Sequence, residues 1–297
     1  MVSFDNTEIA FSGKTDGDLR RSLWLFRLIG SPVFVKIGKG LTMLAVKLRL
    51  PINGIIKATI FKQFVGGENI EECNRTVDVL GHYHIGTILD YSVEGKDSEE
   101  DFDRCAAETI ATIERAQNDI RIPFCVFKVT GLARLDLLKK ISSEEIISLE
   151  EQAELRRINK RVENICHAAH VQKKPIFIDA EESWIQKAID ELANSMMSKF
   201  NTQEVIIYNT FQLYRKDRLA FLKSSLALAK KENYILGAKL VRGAYMEKER
   251  ARALKLNYPS PIHENKADTD RDYDNALLFC VEHIDKIAMC AGTHNES

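Results

Sequence analysis

Residues 239–245 read Lys-Leu-Val-Arg-Gly-Ala-Tyr and close an apolar run, Leu236 to Val241, with the composition of a buried strand. Two cations, a glycine and a tyrosine therefore gather where a strand ends and a helix-like stretch begins. In barrels and open sheets of parallel strands, that carboxyl end is where ligands bind. Cations there suit an anionic group, and a glycine admits close approach of a backbone to a ligand. Lys239 and Arg242 straddle Leu240 and Val241, so they fall on different faces and at most one points into a barrel.

Outward from this strand the pattern repeats. Strand-like runs at 85–90, 122–129, 175–179, 205–208, 236–241 and 286–291 alternate with helical stretches at 99–117, 144–171, 184–200, 216–232 and 272–283. Such alternation implies parallel pairing and an α/β architecture. After the sixth run only Gly292-Thr-His-Asn-Glu-Ser297 remains. A (βα)₈ barrel needs eight strands to close, whereas an open doubly wound sheet does not. Periodicity alone leaves both architectures open.

A chain of 297 residues with 45% hydrophobic and 29% charged content has room for one large core, and a net charge of -1 argues against a nucleic-acid binder. The cysteines (Cys73, Cys105, Cys125, Cys166, Cys280, Cys290) form no CxxC pair and read as reduced core thiols of a reducing compartment, the cytoplasm. The start, Met-Val-Ser-Phe-Asp-Asn, is acidic and unlike a signal peptide, and no uninterrupted apolar stretch is long enough to span a bilayer. Residues 1–75 read as a helical arm and 76–297 as the α/β domain. From Leu19 to Gly67 the arm has no acidic residue, yet it carries Arg20, Arg21, Arg27, Lys36, Lys39, Lys47, Arg49, Lys57 and Lys62 among apolar neighbours. That combination meets the needs of a peripheral membrane contact, and equally those of an arm packed on its own domain with its cations in water.

Polar side chains recur where each strand ends. They are Asp90 and Glu94, Lys128 and Thr130, Asp179 and Glu181, Gln212 and Tyr214, then Lys239, Arg242 and Tyr245, and finally Thr293, His294 and Asn295. Taken together they ring one rim, as a site at the top of a barrel does. Taken singly each has a plainer reading. Asp179 with Glu181 suits a cap for a helix starting near Ser183. Lys128 suits a snorkelling lysine, Gln212 and Tyr214 a loop packing, and His294 an ordinary turn. His82-Tyr83-His84 has metal-ligand spacing if it lies on a strand, but it precedes the first strand and so sits opposite the usual site; no metal is expected. Neither GxGxxG after a strand nor a P-loop is present, and no nucleophile–base pair emerges.

Six of these motifs, in order and one per strand, resemble the proline dehydrogenase family. They are Leu-Asp-Tyr-Ser-Val-Glu-Gly (89–95), Phe-Lys-Val-Thr-Gly-Leu (127–132), Ile-Asp-Ala-Glu-Glu-Ser-Trp (178–184), Thr-Phe-Gln-Leu-Tyr (210–214), the 239–245 motif and Ala-Gly-Thr-His-Asn-Glu (291–296). The resemblance runs from about residue 70 to the end and implies a distorted (βα)₈ TIM-like barrel, represented here by about six βα units after the helical arm. It further implies non-covalent FAD, oxidation of L-proline to Δ1-pyrroline-5-carboxylate, and electron transfer to a membrane quinone. By motif, Lys128 would bind the proline carboxylate, with Tyr245 and Glu94 also on the substrate side. Asp179 and Lys239 would be the catalytic residues: Asp179 the active-site aspartate of the third strand, Lys239 the basic residue beside the flavin, where a cation stabilises negative charge on the reduced ring. Gln212, Val241, Arg242, Gly243, Ala244, Thr293, His294 and Asn295 would contact the cofactor. Some family members carry arginine at position 239 and lysine at 242, the reverse of this chain. The family's last two strands, and a final helix with arginines for the proline carboxylate, fall beyond Ser297. The chain is therefore expected to be a fragment, inactive or unstable alone, of a flavoenzyme peripheral to the inner face of a membrane. The alternatives are a metal-dependent barrel hydrolase using His82, His84 and His294, or a non-catalytic membrane-surface protein.

Overall fold

The computed structural model describes residues 5–91 and 97–294, which form two compact units, one up to Thr87 and one from Ile88 to Asn295. The first is a run of short helices: α1 (Thr7–Ala10), α2 (Asp16–Ile29), α3 (Pro32–Lys47), α4 (Asn53–Ile56), a π turn (Lys57–Phe61), α5 (Lys62–Phe64) and α6 (Ile70–His82). Side-chain caps explain two of the starts: Thr15 accepts from the Asp18 N–H, and Asn69 from the Glu72 N–H. Proline at the first position of α3 costs no hydrogen bond there. Leu23, Trp24, Phe26, Val33, Phe34, Leu41, Met43 and Leu44 stand exposed along α2 and α3. No single helix among the described residues is long and apolar enough to cross a membrane. Asp16–Ile29 and Pro32–Ala45 pass together by length and composition, with a 96° bend between them. The His82/His84 pair does not lie on a strand. His82 ends α6, the backbone of Tyr83 and Ile85 folds back onto the Leu80 carbonyl, and His84 is left-handed at φ 58°.

The second unit is built on six parallel strands: β1 (Ile88–Leu89), β2 (Phe124–Phe127), β3 (Ile176–Ile178), β4 (Ile207–Gln212), β5 (Leu236–Val241) and β6 (Ile287–Gly292). Their order in the sheet is the order in the chain. A doubly wound sheet reverses its strand order at a switch point; a singly wound sheet that never reverses is the layout of a barrel wall. The strands curl as a half-barrel, so the ambiguity left by periodicity is resolved in favour of the TIM-like fold. Between the strands run α7 (Glu99–Ala116), α8 (Leu135–Ser142), α9 (Leu149–Val171), α10 (Ser183–Phe200), α11 (Arg218–Glu232), α12 (Met246–Leu256) and α13 (Lys266–Glu282). Ser148 and Glu151 close α9 with a reciprocal capping box, and Asn233 and Asn257 end α11 and α12 in the left-handed conformation.

Register and the two-residue period of a strand sort the side chains into two faces. Outward, beneath the helices, Cys125, Ile176, Ile178, Ile207, Phe211, Leu236, Ala238 and Leu240 are fully buried. Each large apolar side chain among them contributes roughly 1.5–3 kcal/mol. Inward, Val126, Phe177 and Tyr208 form one cluster, with Phe124, Val205, Ala288 and Cys290 packed against it. Phe124 and Phe177 stack at 4.5 Å, and Tyr208 meets both edge-on at 5.7 and 5.6 Å. Gly237 keeps this layer closed: a Cβ there would stand 2.2 Å from the Ile207 carbonyl oxygen.

Several boundaries differ from the periodicity. β1 is shorter than 85–90. The expected helix 144–171 starts at Leu149, and α8 precedes it. α13 begins at Lys266, and α12 occupies the connection before Pro259. The fourth strand runs from Ile207 to Gln212 rather than 205–208. Asn201 takes the Ile206 and Ile207 N–H groups at 3.1 and 2.9 Å and donates to the Ile207 carbonyl at 2.7 Å, tying down the chain before the strand begins. The strand then continues through polar residues because Asn209, facing the helices, donates to Asp190 of α10 at 2.9 Å. All six cysteines are free thiols, and burial pushes Cys125 and Cys280 up to about 12.

Candidate active site

Two residues above the aromatic layer the inward side chains turn polar. Lys128 follows β2, Asp179 follows β3, Thr210 lies in β4 and Lys239 in β5; Thr210 and Lys239 are register partners. These four line one cavity of about 380 Å³ together with Ala180, Gln212, Val241, Arg242, Gly243, Ala244, Tyr245, Gly292, Thr293 and His294. Its volume falls in the range of small-molecule and cofactor sites. Every described residue given a role by motif is on this wall, whereas Asp90, Thr130, Glu181 and Tyr214, read as part of the same rim, do not line the cavity. Glu94 and Asn295 lie outside the described residues.

The floor is charged on one side. Lys239 Nζ donates to Asp179 Oδ1 at 2.6 Å and stands 4.7 Å above the Phe177 ring, so the ammonium is held by a carboxylate and by a ring face. Both side chains are about four-fifths buried, at 18% and 22% exposure, so water screens this pair less than a surface one. Thr210 Oγ1 adds a long contact to Asp179 at 3.4 Å. Arg242 behaves differently, as opposite faces require. Its guanidinium donates to Asp270 of α13 at 2.5 Å and to Thr293 Oγ1 at 2.7 Å, and lies 4.3 Å from the Tyr273 ring. Lys239 is thus the cation of this pair that reaches the inner face.

The loop after β5 is shaped by the loop after β4. The Leu213 and Tyr214 N–H groups donate to the Val241 and Arg242 carbonyls at 2.8 and 2.7 Å. The Tyr214 ring packs flat on Gly243, where a Cβ would come within 2.4 Å of it. Gly243 has φ +130°, which L side chains rarely adopt. Burial raises the Tyr214 hydroxyl above its ordinary range. Tyr245 then begins α12, held in place further on by Glu249. That fully buried carboxylate accepts the Ser183 N–H at 2.5 Å and the Ser183 hydroxyl at 2.6 Å, and Lys248 pairs with Glu182. Neither Asp179 nor Glu181 caps α10; the cap comes from α12.

Gln212 sits on this wall with only 2% exposure. Its Nε2 donates to the Glu181 carbonyl at 2.7 Å, while its Oε1 is buried without a partner among the described residues. A buried carbonyl oxygen beside a cavity calls for an N–H donor. The ring N–H of a flavin is such a donor, and a neighbouring ammonium with a side-chain-free backbone at Gly243 suits a planar, electron-accepting ring. The residues present therefore fit the flavin that the motifs imply. Among the described residues no three His, Cys, Asp or Glu side chains converge as a metal ion would need. Thr210, Ala180 and Gly292 also line the cavity. Thr210 lay beyond the expected end of its strand, and extending the alternation from Tyr208 by two residues would have found it.

The family model described as proline dehydrogenase matches residues 73–297. The chain is 33% identical over 233 residues to the carbapenem antibiotics biosynthesis protein CarD of Pectobacterium carotovorum subsp. carotovorum, covering 78% of this chain and 61% of that one. It is 32% identical over 292 residues to the mitochondrial proline dehydrogenase 1 of Dictyostelium discoideum, covering 84% of this chain and 51% of the other. Among solved structures, proline utilization A from Bdellovibrio bacteriovorus inactivated by N-propargylglycine is similar at TM-score 0.70 and 17% identity, covering 97% of this chain and 31% of that one. At that identity the likeness is one of fold. The chain spans about half to three fifths of the length of these two curated relatives.

Proposed function

Because the chain belongs to the proline dehydrogenase family, we propose that the full-length protein oxidises L-proline to Δ1-pyrroline-5-carboxylate, with FAD as hydride acceptor and a membrane quinone as electron sink. The observation that carries this reading is one wall: Lys128, Asp179, Gln212 and Lys239, from four successive strands, line a single cavity above an apolar floor. When bound, FAD supplies a ring that accepts the hydride leaving C5 of proline. Lys128 binds the proline carboxylate by a charge-assisted contact and so fixes which carbon faces the ring. Lys239, held by Asp179, supplies positive charge where electron density builds up. Gln212 would offer Oε1 to a ring N–H, and Val241, Arg242, Gly243, Ala244, Thr293, His294 and Asn295 would contact the cofactor. Tyr245 and Glu94 would serve the substrate. The stacked rings of Phe124 and Phe177, with Tyr208, exclude water from below.

The exposed apolar residues and cations of the arm between residues 19 and 67 support a peripheral contact with a membrane, where a quinone is met. The experiment is a visible spectrum of the full-length protein as purified, then with L-proline under anaerobic conditions. Flavin bands near about 380 and 450 nm, the second bleached by proline, are the expected result. A colourless protein that takes up no added FAD, or a flavoprotein that proline leaves oxidised, would sink the reading.

A further inference from the structure

The loop Asp179–Ser183 contacts every strand end from β2 to β5. The Asp179 N–H donates to the Phe127 carbonyl at 3.0 Å, and its carboxylate takes Lys239 of β5. Glu181 does more. Its carboxylate accepts the Thr130 N–H at 3.0 Å and also the Thr130 hydroxyl. Its carbonyl accepts from Gln212 of β4, and its N–H donates to Gln186 of α10 at 2.8 Å. Glu181 is 3% exposed.

Thr130 belongs to the single 3₁₀ turn Val129–Gly131, whose first flanking residue is Lys128; Lys128 caps it with no side-chain bond. An uncapped turn leaves its leading N–H groups to be satisfied from elsewhere, and here the Glu181 carboxylate satisfies one. The Glu181 carbonyl has a second effect. A carbonyl oxygen accepts only from the NH₂ end of an amide, so Gln212 is turned with Oε1 away from Glu181.

We propose that Glu181 is a positioning residue for the cavity: its carboxylate fixes the turn that carries Lys128, and its carbonyl fixes the direction in which Gln212 presents Oε1. This deepens the reading of the site given above and rests on it. The charge state of Glu181 enters because only the carboxylate takes both Thr130 donors; the acid must spend one oxygen as a donor. Burial pushes this carboxyl up to about 7, while the two Thr130 bonds oppose the shift, Glu182 adds to it and Lys128 opposes it. The groups facing it are Lys128 and Thr130 from the β2 end, Glu182 beside it in the loop and paired with Lys248 of α12, Gln186 from α10 and Gln212 from β4. Glu181 is ionised above about pH 7, so the turn is fully held there and relaxes as the pH falls.

The test is Glu181→Gln in the full-length flavin-loaded protein, with thermal melting and flavin content as controls on folding. Binding is read from the flavin spectrum on titration with cyclopentanecarboxylate, which has the ring and the carboxylate but no amine to oxidise; turnover is read with L-proline. We expect flavin retained, KM for proline and Kd for cyclopentanecarboxylate raised about tenfold, and kcat changed less than about threefold. In the wild type, Kd should tighten as pH rises from 6 to 8, and in the variant this slope should vanish. Thr130→Val removes one donor, should weaken binding in the same direction by less, and should add little on top of Glu181→Gln. A variant with unchanged Kd and the wild-type pH slope overturns the inference, as does one that melts lower while binding normally. A wild-type protein that proline does not reduce would instead overturn the parent reading.

Discussion

Under the proposed function, Lys128 is the residue on which substrate recognition turns. It follows an apolar strand and lines the cavity, where the proposed function gives it the proline carboxylate. Replacing it by methionine keeps the length and loses the charge. A charge-assisted hydrogen bond is worth about 1.5–3 kcal/mol, so KM for proline should rise roughly 10- to 100-fold, with flavin content unchanged. Steady-state kinetics beside a flavin spectrum checks this. Flavin lost at constant KM would move Lys128 from the substrate to the cofactor. At this scale much could be read before any coordinates. Lys128 and Asp179 each end an apolar run with a charge and Lys239 interrupts one, which burial alone does not explain. Glu181 was visible as a strand-end acid, but its bond to Thr130 spans 51 positions and no local pattern announces it.

At the scale of elements, the helices α10 and α11 are fastened to β4 through charge as well as oil. Asp190 accepts from Gln186 at 3.0 Å, Asn209 at 2.9 Å and Arg218 at 2.7 Å, and the ion-pair side chains are only 8% and 5% exposed. Removing Asp190 leaves Arg218 only its second bond, to Asp217 at 2.8 Å, and takes the acceptor from Gln186 and Asn209; breaking a buried pair costs up to about 3–5 kcal/mol. Asp190→Ala should therefore lower the melting temperature sharply, whereas Asp190→Leu with Arg218→Met should recover much of the loss; calorimetry on the pair of variants decides. This network also explains why the fourth strand was misread. Asn209, Thr210 and Gln212 look like loop residues in a hydropathy scan, but each has a use inside the sheet: Asn209 toward the helices, the other two toward the cavity. The fifth strand, apolar outward and bordered by Gly243, kept its expected bounds of Leu236–Val241. Helices were located well where charge alternated and less well where short ones, α8 and α12, filled connections.

For the whole molecule, strand order is the property no local pattern reveals: alternation says parallel, but only the sheet shows that the winding never reverses. The arm raises a different question of scale. Its cations and exposed Trp24, Phe26, Phe34 and Leu41 predict binding to anionic lipid vesicles. Deleting residues 19–67 from the full-length protein should weaken that binding. Because Coulomb attraction is screened over about 8 Å at physiological ionic strength, raising the salt should weaken wild-type binding and narrow the gap. Co-sedimentation at two salt concentrations measures it; binding indifferent to the deletion would return the arm to a packing role.

The stacked rings under the cavity carry one more implication. Phe124 and Phe177 lie 4.5 Å apart with Tyr208 edge-on to both, so an oily base lies beneath a charged wall. A guest with one greasy side and one ionic side is turned by that contrast before any single bond forms. Orientation is then settled at entry, not corrected afterwards.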